Sequence, residues 1–205
     1  MTLLMILNFD NPKILKAQIE NLQPSPGTCI FIDICGSTII KQQELKRWIL
    51  YIGNTLRLCF GISHLFRDCV LKLIGDAIMI YIPDTKKNKE DETYTTILDM
   101  LKNCISSNGT TIDPITLRTK AAIHYCTDPY NITYNASSND YYDYDIDITA
   151  RLMKKSEENK IVVSERYYQK VFAEEPDFLK NTSLKFVENF KGITEPVGYR
   201  IMPAQ

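Results

Sequence analysis

Two short segments carry the residue types that chemistry on a phosphorylated substrate would need: Phe31-Ile32-Asp33-Ile34-Cys35-Gly36-Ser37-Thr38 and Lys72-Leu73-Ile74-Gly75-Asp76-Ala77-Ile78-Met79. In each, a carboxylate sits at the end of a strongly apolar strand, where an unpaired charge is costly unless a cation meets it. Two such aspartates on adjacent strands can share metal ions. Mg²⁺ and Mn²⁺ are hard cations that take oxygen ligands and bridge to nucleotide phosphates. A pair of them can stabilise both the attacking and the leaving oxygen of an in-line displacement. Gly36-Ser37-Thr38 adds a turn whose backbone N–H groups open a helix, which suits a triphosphate. Each segment alone also reads as plain structure: Asp before Gly-Ser-Thr as a turn with a helix cap, Gly-Asp between strands as a hairpin turn. It is their joint appearance, in this order, that points to a shared site.

The surrounding pattern supplies the elements that would hold these residues. Cys29-Ile30-Phe31-Ile32, bounded by Gly27 and Asp33, reads as a buried strand, and Ile40 to Phe60 as one long helix with Leu45, Trp48, Ile49, Ile52, Leu56 and Cys59 at helical spacing. Cys69 to Ile74 and Ala77 to Ile82 form a hairpin turning at Gly75-Asp76. A polar surface loop follows from Asp84 to Glu92, then a helix over Thr93 to Ile105 and a strand over Ile115 to Tyr125. Thr127 to Asp145 is polar and tyrosine-rich and reads as a loop. Beyond it come a helix over Ile146 to Lys155, a strand over Lys160 to Ser164, a helix over Glu165 to Ala173, and strands near Leu184 to Phe190 and Val197 to Ile201. This order predicts an α+β fold of the ferredoxin-like βαββαβ kind, an antiparallel sheet with helices packed on it. Residues Pro12 to Leu22 carry apolar residues near helical spacing, and Pro24-Ser25-Pro26-Gly27 then punctuates the chain. Residues 1–26 are therefore expected to be an appendage docked on a domain running from 27 to 205.

Composition narrows the function classes. The 205 residues, 44% hydrophobic and 24% charged, fit one sizeable globular domain. A net charge of −1 lacks the broad attraction that non-specific binding to nucleic acid or to an anionic membrane needs, so neither is an expected partner. An anionic ligand must be met locally. The six cysteines contain no C-x-x-C pair and fit reduced thiols rather than a zinc site or disulfide framework. The apolar run Thr2 to Leu7 has no basic flank and soon meets Asn8 and Asp10, unlike a signal peptide. No stretch approaches the ~20 apolar residues of a membrane span. A cytoplasmic location is expected.

Phe31 to Thr38 resembles the F-x-D-I-x-G-S-T segment of class III nucleotidyl cyclases, the adenylyl and guanylyl cyclase superfamily, and Lys72 to Met79 resembles their K-x-x-G-D-x-x-M segment. Asp140 through Arg151 is similar to the family's D-x-x-G-x-x-V-N-x-x-x-R stretch, followed by Ile161-Val162-Val163-Ser164 in place of I-x-V-S. Phe190-Lys191-Gly192-Ile193 with Pro196-Val197 and Tyr199 resembles its closing strand pair. The resemblance implies a head-to-tail homodimer with active sites at the interface. One subunit would give Asp33, Asp76 and the carbonyl of Ile34 to two Mg²⁺ or Mn²⁺ ions, with Gly36, Ser37 and Thr38 on the triphosphate. The other would give base-reading Lys72 and Asp140, ribose-side Asp147, and Arg151 and Lys191 to the phosphates. The product would be a 3′,5′-cyclic nucleotide with pyrophosphate leaving. Two departures stand out: the family's Asn is Asp147 here, and its Gly is Asp143.

Other readings of these residues remain open. Asp140, Asp143, Asp145 and Asp147 also fit a solvated acidic turn capping the next helix. Lys72 also fits a strand-edge charge, and Arg151 an i,i+4 partner of Asp147. Tyr141 or Tyr142 can stack on a base or pack beneath the loop. As donor and acceptor, Lys72 and Asp140 complement a base with a ring acceptor beside an exocyclic amine, which places CTP and ATP ahead of GTP and UTP. A free-standing chain with an altered ribose-side residue looks like the pyrimidine cyclases of bacterial Pycsar anti-phage systems, whose cyclic CMP or cyclic UMP switches on a separate effector. Cyclic CMP is the favoured product, with cyclic UMP close. Adenylate cyclase is the alternative, and a nucleotide-binding homologue without turnover the second.

Overall fold

The structure is a computed structural model that describes residues 6–62, 69–86, 93–107, 111–112, 115–116, 118–135 and 138–205. The start of the apolar N-terminal run and residues 87–92 of the expected surface loop lie outside the described residues. In chain order the elements are α1 (Pro12–Glu20), β1 (Gly27–Ile34), α2 (Ser37–Gln43), α3 (Leu45–Ile62), β2 (Val70–Ile74), β3 (Ala77–Pro83), α4 (Tyr94–Ser107), β4 (Thr111–Ile112), β5 (Ile115–Thr116), β6 (Thr119–Cys126), β7 (Tyr130–Asn135), β8 (Ser138–Tyr142), α5 (Tyr144–Met153), β9 (Lys160–Ser164), α6 (Glu165–Glu174), β10 (Phe186–Glu188) and β11 (Val197–Pro203).

Seven strands form the main sheet, in the order β10-β11-β9-β6-β1-β3-β2. Its β6-β1-β3-β2 half is the antiparallel ferredoxin-like arrangement expected from the sequence, and β9 joins it parallel to β6. Strand β1 lies between β3 and β6 and is covered on both faces; Asp33 alone in it is only half-buried. The period of two then separates two cores. Ile30, Ile32, Ile78, Ile80 and Ile123 point to one face, where α3, α4 and α6 pack through Cys59, Ile97, Leu98, Leu101 and Tyr167. Phe31, Met79, Ala122 and Val162 point to the other, which is closed by α5 through Ile148 and Leu152, by Tyr141 of β8 and by the C-terminal Phe190 and Tyr199. All six cysteines are free thiols. Among the described residues no helix is long and apolar enough to cross a membrane.

Three expectations are corrected. The single helix over Ile40 to Phe60 is two helices, broken at Glu44, whose backbone is extended (φ −157°, ψ 98°). The break separates two docking tasks. Ser37, in the first turn of α2, is tied to the β2–β3 turn, while α3 follows the sheet and buries Tyr51, Ile52, Thr55 and Cys59; Leu45 and Ile49 face outward. The expected strand over Ile115 to Tyr125 is divided, with Ile115–Thr116 pairing to β4 and β6 beginning at Thr119. The tyrosine-rich segment is no loop: β7 and β8 form a hairpin, Tyr130 opposite Tyr142 and Ile132 opposite Asp140. Alternation there sends Tyr141 into the core and Asp140 and Tyr142 to the other face, the usual signature of a half-buried strand.

The N-terminal segment is stitched to the sheet more by backbone than by its helix. Ser25 N donates to Pro129 O (2.8 Å), Asp84 N to Pro26 O (2.8 Å), and the Tyr81 hydroxyl to Ser25 O (2.7 Å). Helix α1 buries no residue, so its apolar face is not packed as expected. It borders instead an apolar cavity of about 560 Å³ shared with Leu7, Leu22, Tyr130, Ile132 and Tyr142.

Where the N-terminal segment enters the sheet, Gly27 is hemmed in on the β3 side: a Cβ there would sit 2.8 Å from Pro83 Cα and close on the Ile82 carbonyl. Both obstacles are backbone and cannot rotate away. Gly27→Ala should cost about 2 kcal/mol, the scale of overpacking in a tight core, seen as a lower urea midpoint with an unchanged m-value.

Candidate active site

Register builds the site. In β1, Asp33 lies opposite Ala77 of β3 and opposite Lys120 of β6. Asp76 precedes Ala77 in the two-residue β2–β3 turn, where Gly75 takes a positive φ of 66° that favours glycine at the first central position. The two carboxylates therefore meet at one end of the sheet, as their motifs led us to expect. Asp33 Oδ2 is 3.3 Å from Lys120 Nζ. The Ser37 hydroxyl donates to Asp76 Oδ2, and Lys41 Nζ lies 3.7 Å from Asp76 Oδ1.

The two acids are tuned in opposite directions. Burial raises the Asp33 carboxyl above its ordinary range, and the charge of Asp76 adds to this against the pull of Lys120. Burial works on Asp76 too, but the Ser37 hydrogen bond, a backbone N–H and Lys41 outweigh it and hold its carboxyl below the ordinary range. Each carboxylate draws a lysine, and Asp33 feels the negative charge of Asp76. Among the described residues no cluster of three His, Cys, Asp or Glu side chains exists. A pair of carboxylates suits Mg²⁺ or Mn²⁺, which take one or two carboxylates and complete their shells with water and phosphate oxygens. Ile34 buries its side chain beside Tyr51 and Ile52.

Gly36 sits just before α2 with φ 71° and ψ 16°, and a Cβ there would touch nothing. Its requirement is conformational, a left-handed turn that redirects the chain from β1 into α2. Ser37 is buried and Thr38 exposed. Lys120 was missed at the sequence level. Its signal was present all the same: a lysine beside the apolar Ala121-Ala122-Ile123 run is the same buried-charge pattern that singled out the two aspartates.

The second group of residues lies on the α5 face of the same sheet. Lys72 Nζ and Asp140 Oδ2 are 2.6 Å apart, with side-chain exposures of 35% and 17%. The backbone N–H of Tyr141 donates to the other Asp140 oxygen at 2.8 Å. Lys72 is therefore no isolated edge charge, and Asp140 no solvated turn residue. Asp145 is buried outright: it accepts from Thr127 N (2.9 Å), pairs with Arg166 (2.6 Å) and lies 3.3 Å from His124 Nε2, which burial keeps neutral. This network ties the start of α5 to the end of β6. Asp143 stands at the helix cap without a side-chain capping bond, in an extended backbone (φ −168°) that any residue adopts, so the loss of the family's glycine there creates no strain. Asp147 is exposed, and among the described residues no ion pair joins it to Arg151. The Arg151 guanidinium instead lies against the 190–193 turn, 3.8 Å from where a Cβ on Gly192 would be. Lys191 is exposed beside it. Among the described residues no ion pair or hydrogen bond joins Lys72, Asp140, Asp147, Arg151 or Lys191 to Asp33 or Asp76.

No protein-family model and no curated protein matches the sequence. Among solved structures, the chain is similar to the adenylyl cyclase CyaB from P. aeruginosa, at 18% identity over 89% of this chain and 95% of that one, with a TM-score of 0.63. It is similar to the catalytic core of a rhodopsin-guanylyl cyclase with converted specificity in complex with ATPαS, at 15% identity over 88% and 97%, TM-score 0.69. A third is the guanylate cyclase domain of RhGC from Catenaria anguillulae in complex with GTP, at 14% identity over 89% and 99%, TM-score 0.66. The chain thus has the fold of class III adenylyl and guanylyl cyclase domains.

Two stability effects follow from the electrostatics. Asp145 has its carboxyl lowered to about 2 by His124, Thr127 and Arg166, which outweigh its burial. A depressed carboxyl stabilises the fold above its unfolded value near 4, and that contribution is lost as pH falls from 4 through 2. Asp145→Asn should cost about 2 kcal/mol at pH 7 and flatten the acid limb of a stability profile. Asp33 has the opposite sign: its raised carboxyl means that ionisation opposes folding, a penalty fully present at pH 7. Asp33→Asn should therefore raise the melting temperature of the metal-free protein at pH 7, and an unchanged or lower value would contradict the assignment.

Proposed function

We propose that the chain is a nucleotidyl cyclase that converts a nucleoside triphosphate to a 3′,5′-cyclic nucleotide and pyrophosphate. The observation that carries this is the convergence of Asp33 and Asp76 from two strand ends, flanked by Lys120, Lys41 and the Gly36-Ser37 entry to α2, in a fold whose neighbours include domains bound to ATPαS and GTP. Asp33, Asp76 and the Ile34 carbonyl would hold Mg²⁺ or Mn²⁺, which when bound neutralises phosphate charge and acidifies the 3′-hydroxyl. The chain's own residues do the rest. Lys120 and the backbone N–H groups from Gly36 to Thr38 meet the triphosphate tail, and Asp76 is kept ionised by Ser37. The 3′-oxygen bonds to the α-phosphorus as the bond to the leaving pyrophosphate breaks, and the hydroxyl proton passes to water. Arg151, free of Asp147 and aimed at the 190–193 turn with Lys191, supplies positive charge to the phosphates in the transition state. A head-to-tail homodimer would bring the carboxylate pair of one subunit to Lys72, Asp140 and Arg151 of the other.

Base choice rests on Lys72 and Asp140. Held in contact, they present one donor and one acceptor, the complement of a ring acceptor next to an exocyclic amine in cytosine or adenine. Of these two we favour CTP, on the altered ribose-side residue Asp147 and the tyrosines beside Asp140, with the cyclic product read by a separate effector in anti-phage defence. Asp147, exposed on α5, would accept from a ribose hydroxyl.

Incubating the protein with each of the four triphosphates and Mn²⁺ should give a cyclic nucleotide, cyclic CMP foremost, by chromatography and mass spectrometry. No cyclic product from any of them would sink the proposal. Asp33→Ala and Asp76→Ala should each lower the rate by about a thousandfold, since metal-borne charge stabilisation is worth several kcal/mol, with the oligomer intact by light scattering. Lys72→Met should reorder the four substrates.

A further inference from the structure

We infer that Tyr142 is the surface on which the substrate base stacks, an inference that rests on the cyclase reading and adds to it a residue that binds the base through its ring face. The strand period makes the selection. Tyr141 and Tyr142 are neighbours in β8, and only one of them can share the face that carries Asp140. Tyr141 turns inward, 6% exposed, with its ring stacked on Tyr81 at a centroid distance of 4.1 Å. It is committed to the core. Tyr142, two residues from Asp140, emerges on the Asp140 side, 41% exposed, with its ring centroid 5.4 Å from Lys72 Nζ. Donor, acceptor and aromatic face thus converge at one place, the three contacts by which a planar base is held.

Tyr142 also borders the apolar cavity of about 560 Å³ that Leu7, Leu22, Tyr130 and Ile132 line. Stacking is tolerant of base identity because every base has a π-face, so Tyr142 supplies affinity while Lys72 and Asp140 supply choice.

The test compares wild type, Tyr142→Phe and Tyr142→Ala. For binding, 3′-deoxy-CTP and 3′-deoxy-ATP with Mg²⁺ serve as probes, since they lack the attacking hydroxyl and cannot cyclise. Wild type and Tyr142→Phe should shift the base protons of both probes upfield in the ¹H spectrum, the ring-current mark of a stacked aromatic, and Tyr142→Ala should abolish the shift. In turnover, Tyr142→Ala should raise KM about tenfold or more for every accepted triphosphate while leaving kcat and the order of preference in place; Tyr142→Phe should behave as wild type. A Tyr142→Ala protein that keeps both the upfield shift and the wild-type KM overturns the inference while leaving the cyclase reading standing. A Tyr142→Phe protein as impaired as Tyr142→Ala also overturns it, by assigning the effect to the hydroxyl. If the wild-type chain binds neither probe and makes no cyclic nucleotide, the cyclase reading falls and this inference falls with it.

Discussion

A carboxylate carried to the end of the most enclosed strand of the sheet is the constraint around which the molecule is arranged. Strand β1 has a neighbour on each edge and a core on each face, so its backbone is dry and its register is rigidly specified. At its exit the charge of Asp33 is opposed by burial and supported chiefly by Lys120, directly opposite on β6. A slip of one residue between those strands would turn the lysine to the opposite face and strand the acid. Asp76 is set by the same logic one strand over, where the tight Gly75-Asp76 turn leaves its side chain no option but the Ser37 and Lys41 side of α2. Stability and chemistry are in tension at Asp33, whose ionised form opposes folding, and such tension is characteristic of sites that serve a ligand.

The two faces of the sheet divide the labour. Isoleucines dominate the face under α3, α4 and α6, with no chemistry among them. The candidate side chains on the sheet and on α5, Ile34 aside, belong to the opposite face or its rim. That face is closed by a short helix, a hairpin and a C-terminal turn, each held by a specific polar contact: Asp145 to Arg166 and Thr127 for α5, Asp140 to Lys72 for the hairpin, and Thr194 N to the Tyr144 hydroxyl for the turn. The buried Asp145 network is the one with no direct part in the proposed chemistry. By fixing where α5 begins, it decides that Asp147 and Arg151 look outward on one stripe while Ile148 and Leu152 look inward.

Much of this was legible before any coordinates. Apolar runs ending in Asp33 and Asp76, and the order of helix and strand periods, were enough for the ferredoxin-like half of the sheet and for the meeting of the two acids, because both depend on short-range pattern: period two in strands, a glycine where a turn needs positive φ, a charge where none is comfortable. Lys160 to Ser164 was placed to the residue for the same reason. The break at Glu44 was not legible. Helical spacing continues through it, while in the fold α2 is tied through Ser37 and Lys41 to Asp76 in a turn distant in sequence. The β7–β8 hairpin was missed because its residues are polar and its partner strand is itself.

The acidic run from Asp140 to Asp147 shows where local pattern stops. In one dimension its four aspartates are alike, and a solvated cap serves all of them equally well. Folded, they have four different environments: Asp140 against Lys72, Asp143 at a helix start without capping it, Asp145 buried on Arg166, Asp147 in solvent. Residue type and spacing were enough to place two acids at strand ends and to predict a cyclase-like sheet. Which aspartate meets which cation, and which of two adjacent tyrosines faces the site, depended on partners contributed by distant strands and helices, since the energy of a charge or a ring is set by what surrounds it and not by its neighbours along the chain.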